Sequence, residues 1–384
     1  MPINKEPASS LAKNQAPSST LGLRSKIKLL PPPKHWWQKW QGLPRRSKLI
    51  GGLAAILLVA LVGWLLWPKG PVPLASAPEA KVVEPTTLPS PLTGLQVARE
   101  LAKRPVTAIM IENSLAARPQ SGIGEAGVLF EAIAEGGITR FISLFQESQP
   151  TYIGPVRSLR PYYIDWARAF DAGIAHIGGS PEALEQIRGG AAKDLDQFFN
   201  PGSYWRQAGR ASPHNVYTSF EKLDALNRAK GYTTSKFASW SRKADAALAT
   251  PTAKAINLTV SSTNYNVHYD YDASTNSYLR SQGGRPHIAT TSPSDANGQQ
   301  LKPKIVIAMV IPYNLAGRYS SYGVSSGGGV IVFQDGGVTT GTWSKADRAS
   351  QFVFKDAAGK PLTFNAGQAW VTVLADANRI SYTP

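Results

Sequence analysis

An apolar run from Leu49 to Trp67 (LIGGLAAILLVALVGWLLW) carries no charge and no proline. A bilayer core takes roughly 20 apolar residues in one helix. The run therefore predicts a transmembrane helix over residues 49–67. It sets a short basic tail on one side of the helix and a large polar body on the other.

Charge sets the orientation. Residues 1–48 carry ten Lys or Arg and a single acid, Glu6. Five of the basic residues, Lys34 through Lys48, fall within about 15 residues of the run, and such charge stays on the cytoplasmic side. The tail is expected inside and the body from Pro68 outside. Ala75-Ser76-Ala77 resembles a peptidase site, but Pro78 follows it directly. A cleaved leader also has a shorter apolar core and a shorter basic region, so an uncleaved signal-anchor is expected. Trp36, Trp37 and Trp40 are interleaved with Lys34, Lys39, Arg45 and Arg46, a pattern suited to the headgroup layer. Residues 1–33 are rich in Pro, Ser and Lys, and predict disorder.

The tail holds +9 of the formal net charge of +16. The basic excess is a topology signal, and no nucleic-acid partner is expected. The chain has no Cys. That excludes disulfides, Cys-ligated zinc, a thiol nucleophile and a lipid-bearing Cys. Neither H-E-x-x-H nor a Walker sequence occurs, and no metal or cofactor is expected. Seven prolines between Pro68 and Pro91 predict a semi-extended stalk over 68–91. About 290 residues remain for the body, enough for two domains.

Within the body, Thr107–Ile111, Ile138–Gln146 and Ala172–Ile177 read as strands. Pro161–Phe170, Glu182–Arg188 and Phe220–Lys230 read as helices, with Ser180 and Pro181 opening the second. Gly124–Glu135 fits a helix or a loop and strand equally. From Thr252 the character turns to β: Ile256–Val260, Tyr265–Tyr271, Asn276–Arg280, Lys304–Ile311, a hairpin about Asp335-Gly336-Gly337, and Ala369–Leu374. The expected fold is a mixed α/β N-terminal domain over 92–250 and a β-rich C-terminal domain over 251–384, behind one transmembrane helix.

The stretches GGITRFISLF, IGPVRSLRPYYIDWARAF, HIGGSPEALEQI and SPHNVYTS resemble the YerB-like family of bacterial membrane-attached proteins. YNVHYDYDASTNSYLRSQGGRPHI and GTWSKADRASQFVFKDAAGKPLTFNAGQAWVTVL extend the likeness into the second half. The resemblance implies an N-terminal domain followed by a smaller C-terminal one. It implies no activity, because the family is one of unknown function. Many members look like lipoproteins with an anchoring Cys, which this chain lacks.

Three segments can carry chemistry. Gly154-Pro155-Val156-Arg157-Ser158-Leu159-Arg160 sets two guanidinium groups three residues apart. They share a face in a helix and diverge in a strand. They form an anion clamp with Ser158, or else tie a turn to acids such as Asp165 or Glu131. His176 leads through Gly178, Gly179 and Ser180 into a helix start, where free N–H groups can meet an anion; the alternative is a tight turn beside a packed His. His214 follows Ser212-Pro213 in a loop. Ser158 or Ser180, His176 or His214, and Asp165 or Asp171 can be drawn as a triad, but nothing in their spacing demands one. Asp194 and Asp196 alternate with Leu195 and are expected to face solvent. Asp270-Tyr271-Asp272 reads as a hairpin turn, not a calcium loop. Arg280, Arg285 and His287 extend an anion-accepting surface or solvate a loop.

Two functions compete. One is a membrane-attached binding protein for an anionic envelope polymer or envelope protein, using Arg157, Ser158, Arg160 and Gly178–Ser180. The other is an envelope hydrolase or transferase acting on a phosphate-containing or glycan substrate, with His176, His214 or Asp165 as acid and base. The topology predicts that protease added to intact protoplasts digests the body and spares the tail. A protected body overturns it.

Overall fold

In this computed structural model residues 39, 41–70 and 85–384 are described. The chain divides into two units, Met1–Val82 and Val83–Pro384. In the first, Arg45–Leu66 forms one α-helix with no buried residue. Pro44 stands at its N-cap, where a missing N–H costs nothing. At 1.5 Å per residue its 22 residues reach about 33 Å. By length and composition it can cross a membrane. The helix starts four residues ahead of the apolar run and takes in Arg45, Arg46 and Lys48. Trp36, Trp37, Trp40, residues 1–33 and most of the expected stalk lie outside the described residues. The stalk's far end is part of the body, for Thr87–Pro89 pairs antiparallel with Gln96–Ala98.

The body is built on a long mixed sheet. Its strands run in the order 353–356, 337–344, 327–334, 305–310, 369–374, 128–135, 138–145, 107–112, 173–176, 193–196. Ala369–Leu374 pairs in parallel with Ile305–Val310 on one side and with Val128–Glu135 on the other. Strands from both sides of residue 250 therefore share one hydrogen-bonded ladder. Thr107–Glu112 and Ala369–Leu374 are buried at every position. Such strands are covered on both faces and show no polar alternation.

Each face of the sheet has its own cover. The Pro161–Arg168 helix lays Tyr162, Tyr163 and Trp166 on one face, with Phe130 stacked 5.4 Å from Trp166 and Phe352 beyond it. On the other face, Phe220 from the Phe220–Ala229 helix meets Phe145, and Trp370 meets Phe141. A second, antiparallel sheet covers the rest of that region. Its order is 285–286, 277–282, 267–272, 255–258, 380–383. It packs Ile256, Tyr269 and Tyr278 on Val306, Ala308 and Phe333.

The body is thus mixed and strand-rich, and among the described residues no α-helix follows Ala229. Gly124–Glu135 resolves as the strand Val128–Glu135. The helix after Ser180 is shorter than expected, Pro181–Gln186. It runs into a π-type turn over Ile187–Ala191 in which Gly190 takes φ 86°. Asp272 accepts from Ser274 and Thr275, so the Asp270–Asp272 region closes a hairpin as expected.

A buried polar network joins the halves. Glu131 and Arg280, both fully buried, meet at 2.8 Å. Trp370 Nε1, Gln282 Nε2 and Thr139 Oγ1 also donate to the Glu131 carboxylate. Arg280 lies 4.1 Å over the Trp370 ring and donates to His287 Nδ1 and Tyr269 OH. Arg280 and His287 therefore do not solvate a loop. They are core residues, and their pattern near Gly283-Gly284 gave no sign of a partner 149 residues away. Removing one partner of a buried pair strands the other charge, at roughly 3–5 kcal/mol. Arg280→Met should lower the free energy of urea unfolding by that amount. Glu131→Met with Arg280→Met should cost less than the sum of the single changes. Additive losses in equilibrium unfolding refute the pairing.

Candidate functional site

The predicted site residues come from two segments that lie side by side. Ile177 N–H donates to Arg157 O (3.2 Å), Leu159 N–H to Gly178 O (2.9 Å) and Ser180 N–H to Leu159 O (3.1 Å). Ile111 and Val156 form a further bridge. Arg157–Arg160 and His176–Ser180 thus sit together, just beyond the ends of the Thr107–Glu112 and Gly173–His176 strands.

The first segment is extended, with φ −131° and ψ 153° at Arg160. Its two guanidinium groups therefore diverge. Arg157 Nε stands 3.4 Å from Glu112 Oε1. Arg160 pairs with Glu135 and lies 4.6 Å over the Tyr319 ring. Arg140 binds the other Glu135 oxygen at 2.8 Å and donates to Ser158 O. Burial pushes Glu135 up, but the charges of Arg140 and Arg160 outweigh it and hold the carboxyl below its ordinary value. The acids that receive this Arg pair are Glu112 and Glu135, not Asp165 or Glu131.

His176 is fully buried, with Nδ1 2.8 Å from Gly178 O and Nε2 3.1 Å from Asp194 Oδ1. Asp196, also fully buried, accepts from the Gly178 and Phe198 N–H groups. Asp196 does not face solvent and braces the Gly178 turn, which needs φ 59°, while Asp194 turns to His176 and keeps only part of its side chain exposed. Burial raises Asp194, but the His176 contact, the Asp196 N–H and the charge of Lys230 together outweigh it and hold the carboxyl below its usual value. Gly178 N–H goes to Asp196, Ser180 N–H to Leu159 O, and Ser180 Oγ accepts from Ala183 N–H. The donors at Gly178 and Ser180 expected to meet an anion are consumed within the fold.

His214 joins Arg157 at Glu112. Its Nδ1 lies 2.9 Å from Glu112 Oε1 and 3.3 Å from Ser114 Oγ. Ser114 Oγ also donates to Glu112 Oε1. Serine and acid meet the same ring nitrogen, so the two-sided relay of a triad is not formed. Glu112 is 3% exposed and its Oε2 has no partner. Ser114, Arg157 and His214 therefore converge on one carboxylate, while His176 belongs to Asp194. Asp171 is occupied with Lys193 at 2.9 Å.

Asp165 lies elsewhere. Arg348 holds its two oxygens at 2.8 and 3.0 Å. Asp165 and Ser180 line a cleft of about 260 Å³ with Tyr162, Glu182, Tyr319 and Arg348. Buried Lys345 donates to Asp347 O (2.8 Å) near this cleft. Burial pushes its ammonium down to about 8, against the pull of Asp165 and Asp347. Sequence reasoning missed Glu112, Glu135, Arg140, Lys345 and Arg348 as site residues. The last two lie in the family-like stretch GTWSKADRASQF, but no spacing ties Arg348 to a carboxylate 183 residues earlier. Gly323-Val324-Ser325-Ser326-Gly327 spells the serine elbow pattern, yet it joins two strands with no helix after it. Ser219-Phe220-Glu221-Lys222 spells S-x-x-K, but Ser219 Oγ caps the following helix by accepting from Lys222 N–H.

The body is strand-rich, its two halves share one sheet, and an apolar helix precedes it in the sequence. Residues 92–233 match the model for "Protein of unknown function (DUF3048) N-terminal domain", and 256–371 match that for the C-terminal domain. The chain belongs to this family. It is 31% identical over 303 residues to "Putative lipoprotein YerB" of Bacillus subtilis (strain 168), a match covering 77% of this chain and 88% of that one. The crystal structure of YerB from Bacillus subtilis superposes with a TM-score of 0.68 at 29% identity, over 77% of this chain and all of that one.

Lys345 gives this region a pH signature. The unfolded chain keeps its lysine proton to roughly 10.4, while folded Lys345 releases it near 8. Between those values the unfolded state binds more protons, so stability rises with pH. Urea unfolding of wild type should show that rise relative to Lys345→Met. Parallel curves for the two proteins from pH 8 to 10 disprove it.

Proposed function

We propose that the chain is a membrane-anchored protein whose body works outside the cytoplasm as a binding module for an anionic envelope component. A relative named as a lipoprotein supports attachment to a membrane. This chain has no Cys to acylate, and the Arg45–Leu66 helix supplies the anchor in its place. The basic flank supports an inside N-terminus.

One observation carries the binding role. The three candidate acid–base side chains are committed to three different partners: His176 to Asp194, His214 to Glu112, Asp165 to Arg348. Hydrolysis or group transfer calls for two such groups aimed into one cleft, whereas binding needs only donors and shape. At the Arg157–Ser180 edge, Arg157 is the guanidinium that keeps exposed surface, its side chain being 22% exposed against 5% for Arg160. It is the group that turns to a ligand there.

The enzyme reading keeps one observation in its favour. Glu112 orients His214 through Nδ1, and the partly exposed ring leaves Nε2 without a hydrogen bond among the described residues.

The detergent-solubilised full chain should be retained on isolated anionic wall polymer, and Arg157→Ala should weaken retention several-fold while unfolding stays cooperative. Background retention of the wild type sinks the binding role. Polymer fragments released by wild type but not by His214→Gln establish the enzyme reading in its place.

A further inference from the structure

A groove of about 730 Å³ runs between the two halves of the body, lined by Leu115, Arg118 and Pro119 on one side and by Asn264, Gln282 and Arg285 on the other. It shares no lining residue with the Arg157–Ser180 edge. Among the described residues none that lines it is an acid.

Three of its groups are unmatched. Arg118 is half-buried; it donates to Asn113 Oδ1 (3.1 Å), Asn113 O (3.2 Å) and Asn264 O (3.0 Å). All of these acceptors are neutral, and no carboxylate among the described residues pairs with it. Glu131 beneath is taken by Arg280. Arg285 is exposed and makes no ion pair among the described residues. Gln282 is 4% exposed; its Nε2 donates to Glu131 (3.1 Å), which fixes the amide orientation, and its Oε1 has no partner. His287 adds no charge. Burial and the Arg280 charge push its pKa well down, and it accepts from Arg280 through Nδ1.

A half-buried cation without a counterion and a buried acceptor without a donor are both unfavourable. One ligand answers both if it carries an anion beside a hydroxyl. The groove's volume suits a ligand of a few linked sugar or polyol units.

We propose that this groove binds an anionic group carried on a hydroxylated chain. Arg118 and Arg285 hold the phosphate or carboxylate, and Gln282 Oε1 accepts from a neighbouring hydroxyl. The proposal rests on the binding role above and adds to it a second contact site and a ligand class. Arg285 can give the anion a bidentate contact, and Arg118 adds Nη1, the one nitrogen of its guanidinium that the Asn113 and Asn264 bonds leave free.

The test is calorimetric titration of the full chain in detergent with three probes: a glycerol-phosphate oligomer, a carboxylated disaccharide and a neutral disaccharide. An anionic probe should bind and the neutral one should not, and the arm that binds identifies phosphate or carboxylate. Added salt should weaken the binding. Arg285→Ala, an exposed change, should cost roughly ten-fold in affinity, and Gln282→Met several-fold. Arg118→Lys, which keeps the charge but loses the fork, should weaken it even if Gln282→Met fails to fold. Failure of both anionic probes, or affinity unaltered by Arg285→Ala and Arg118→Lys, overturns the groove. If wild type is still retained on wall polymer in an Arg157-dependent way, the groove alone has failed. If that retention is absent too, the binding role has failed with it.

Discussion

The pairing of Ala369–Leu374 with Val128–Glu135 is the contact on which the rest of the body depends. It places Trp370 over Arg280 and beside Glu131. That in turn fixes the second sheet, which contributes Arg280 and Gln282, against the first. A charge pair in a dry interior does not by itself stabilise a fold relative to apolar packing. It discriminates, because a shift of either strand by one residue leaves both charges unpaired. Here the discrimination acts between two segments of chain that carry separate family domains.

The charged groups at the Arg157–Ser180 edge follow one rule. Each cation there has a carboxylate, and each turn donor at Gly178 and Ser180 has an acceptor. The result is a corner whose charges are paired, although Glu112 Oε2 and the Nε atoms of Arg140, Arg157 and Arg160 keep no hydrogen-bond partner. The groove at Arg118, Gln282 and Arg285 is built the other way, with cation and acceptor left open. Position of charge along the chain does not separate the two cases. What separates them is whether an acid from a distant strand arrives to close the pair.

Much of the fold was legible because its elements announce themselves locally. The Pro161 and Ser180-Pro181 helix starts, the Asp335-Gly336 turn and the apolar runs 107–111 and 369–374 all fold as their composition suggests. Val128–Glu135 was ambiguous because its Ala and Glu content suits a helix, and two flanking strands decide it. The candidate site was legible only in part. The adjacency of Arg157–Arg160 and His176–Ser180 followed from neighbouring strand–helix units. Asp194 and Asp196 were misplaced because alternation about Leu195 reads as one solvent face. In fact the strand is stitched beside Gly173–His176, with His176 and the Gly178 turn drawing both acids in. Arg280 was misplaced for a kindred reason: its glycine-rich surroundings suggested surface, and Glu131 lies far away in sequence.

The sheet order also governs when this body can fold. Val128–Glu135 has one neighbour, Ile138–Phe145, within a few residues, while the other comes some 240 residues later. During synthesis the first half therefore presents a long apolar strand edge with nothing to close it. Such an edge invites pairing with other chains. The first half cannot finish as a lone unit and then wait. That edge is covered only once the far strand is in place, so the body's closing contact is one of long sequence separation.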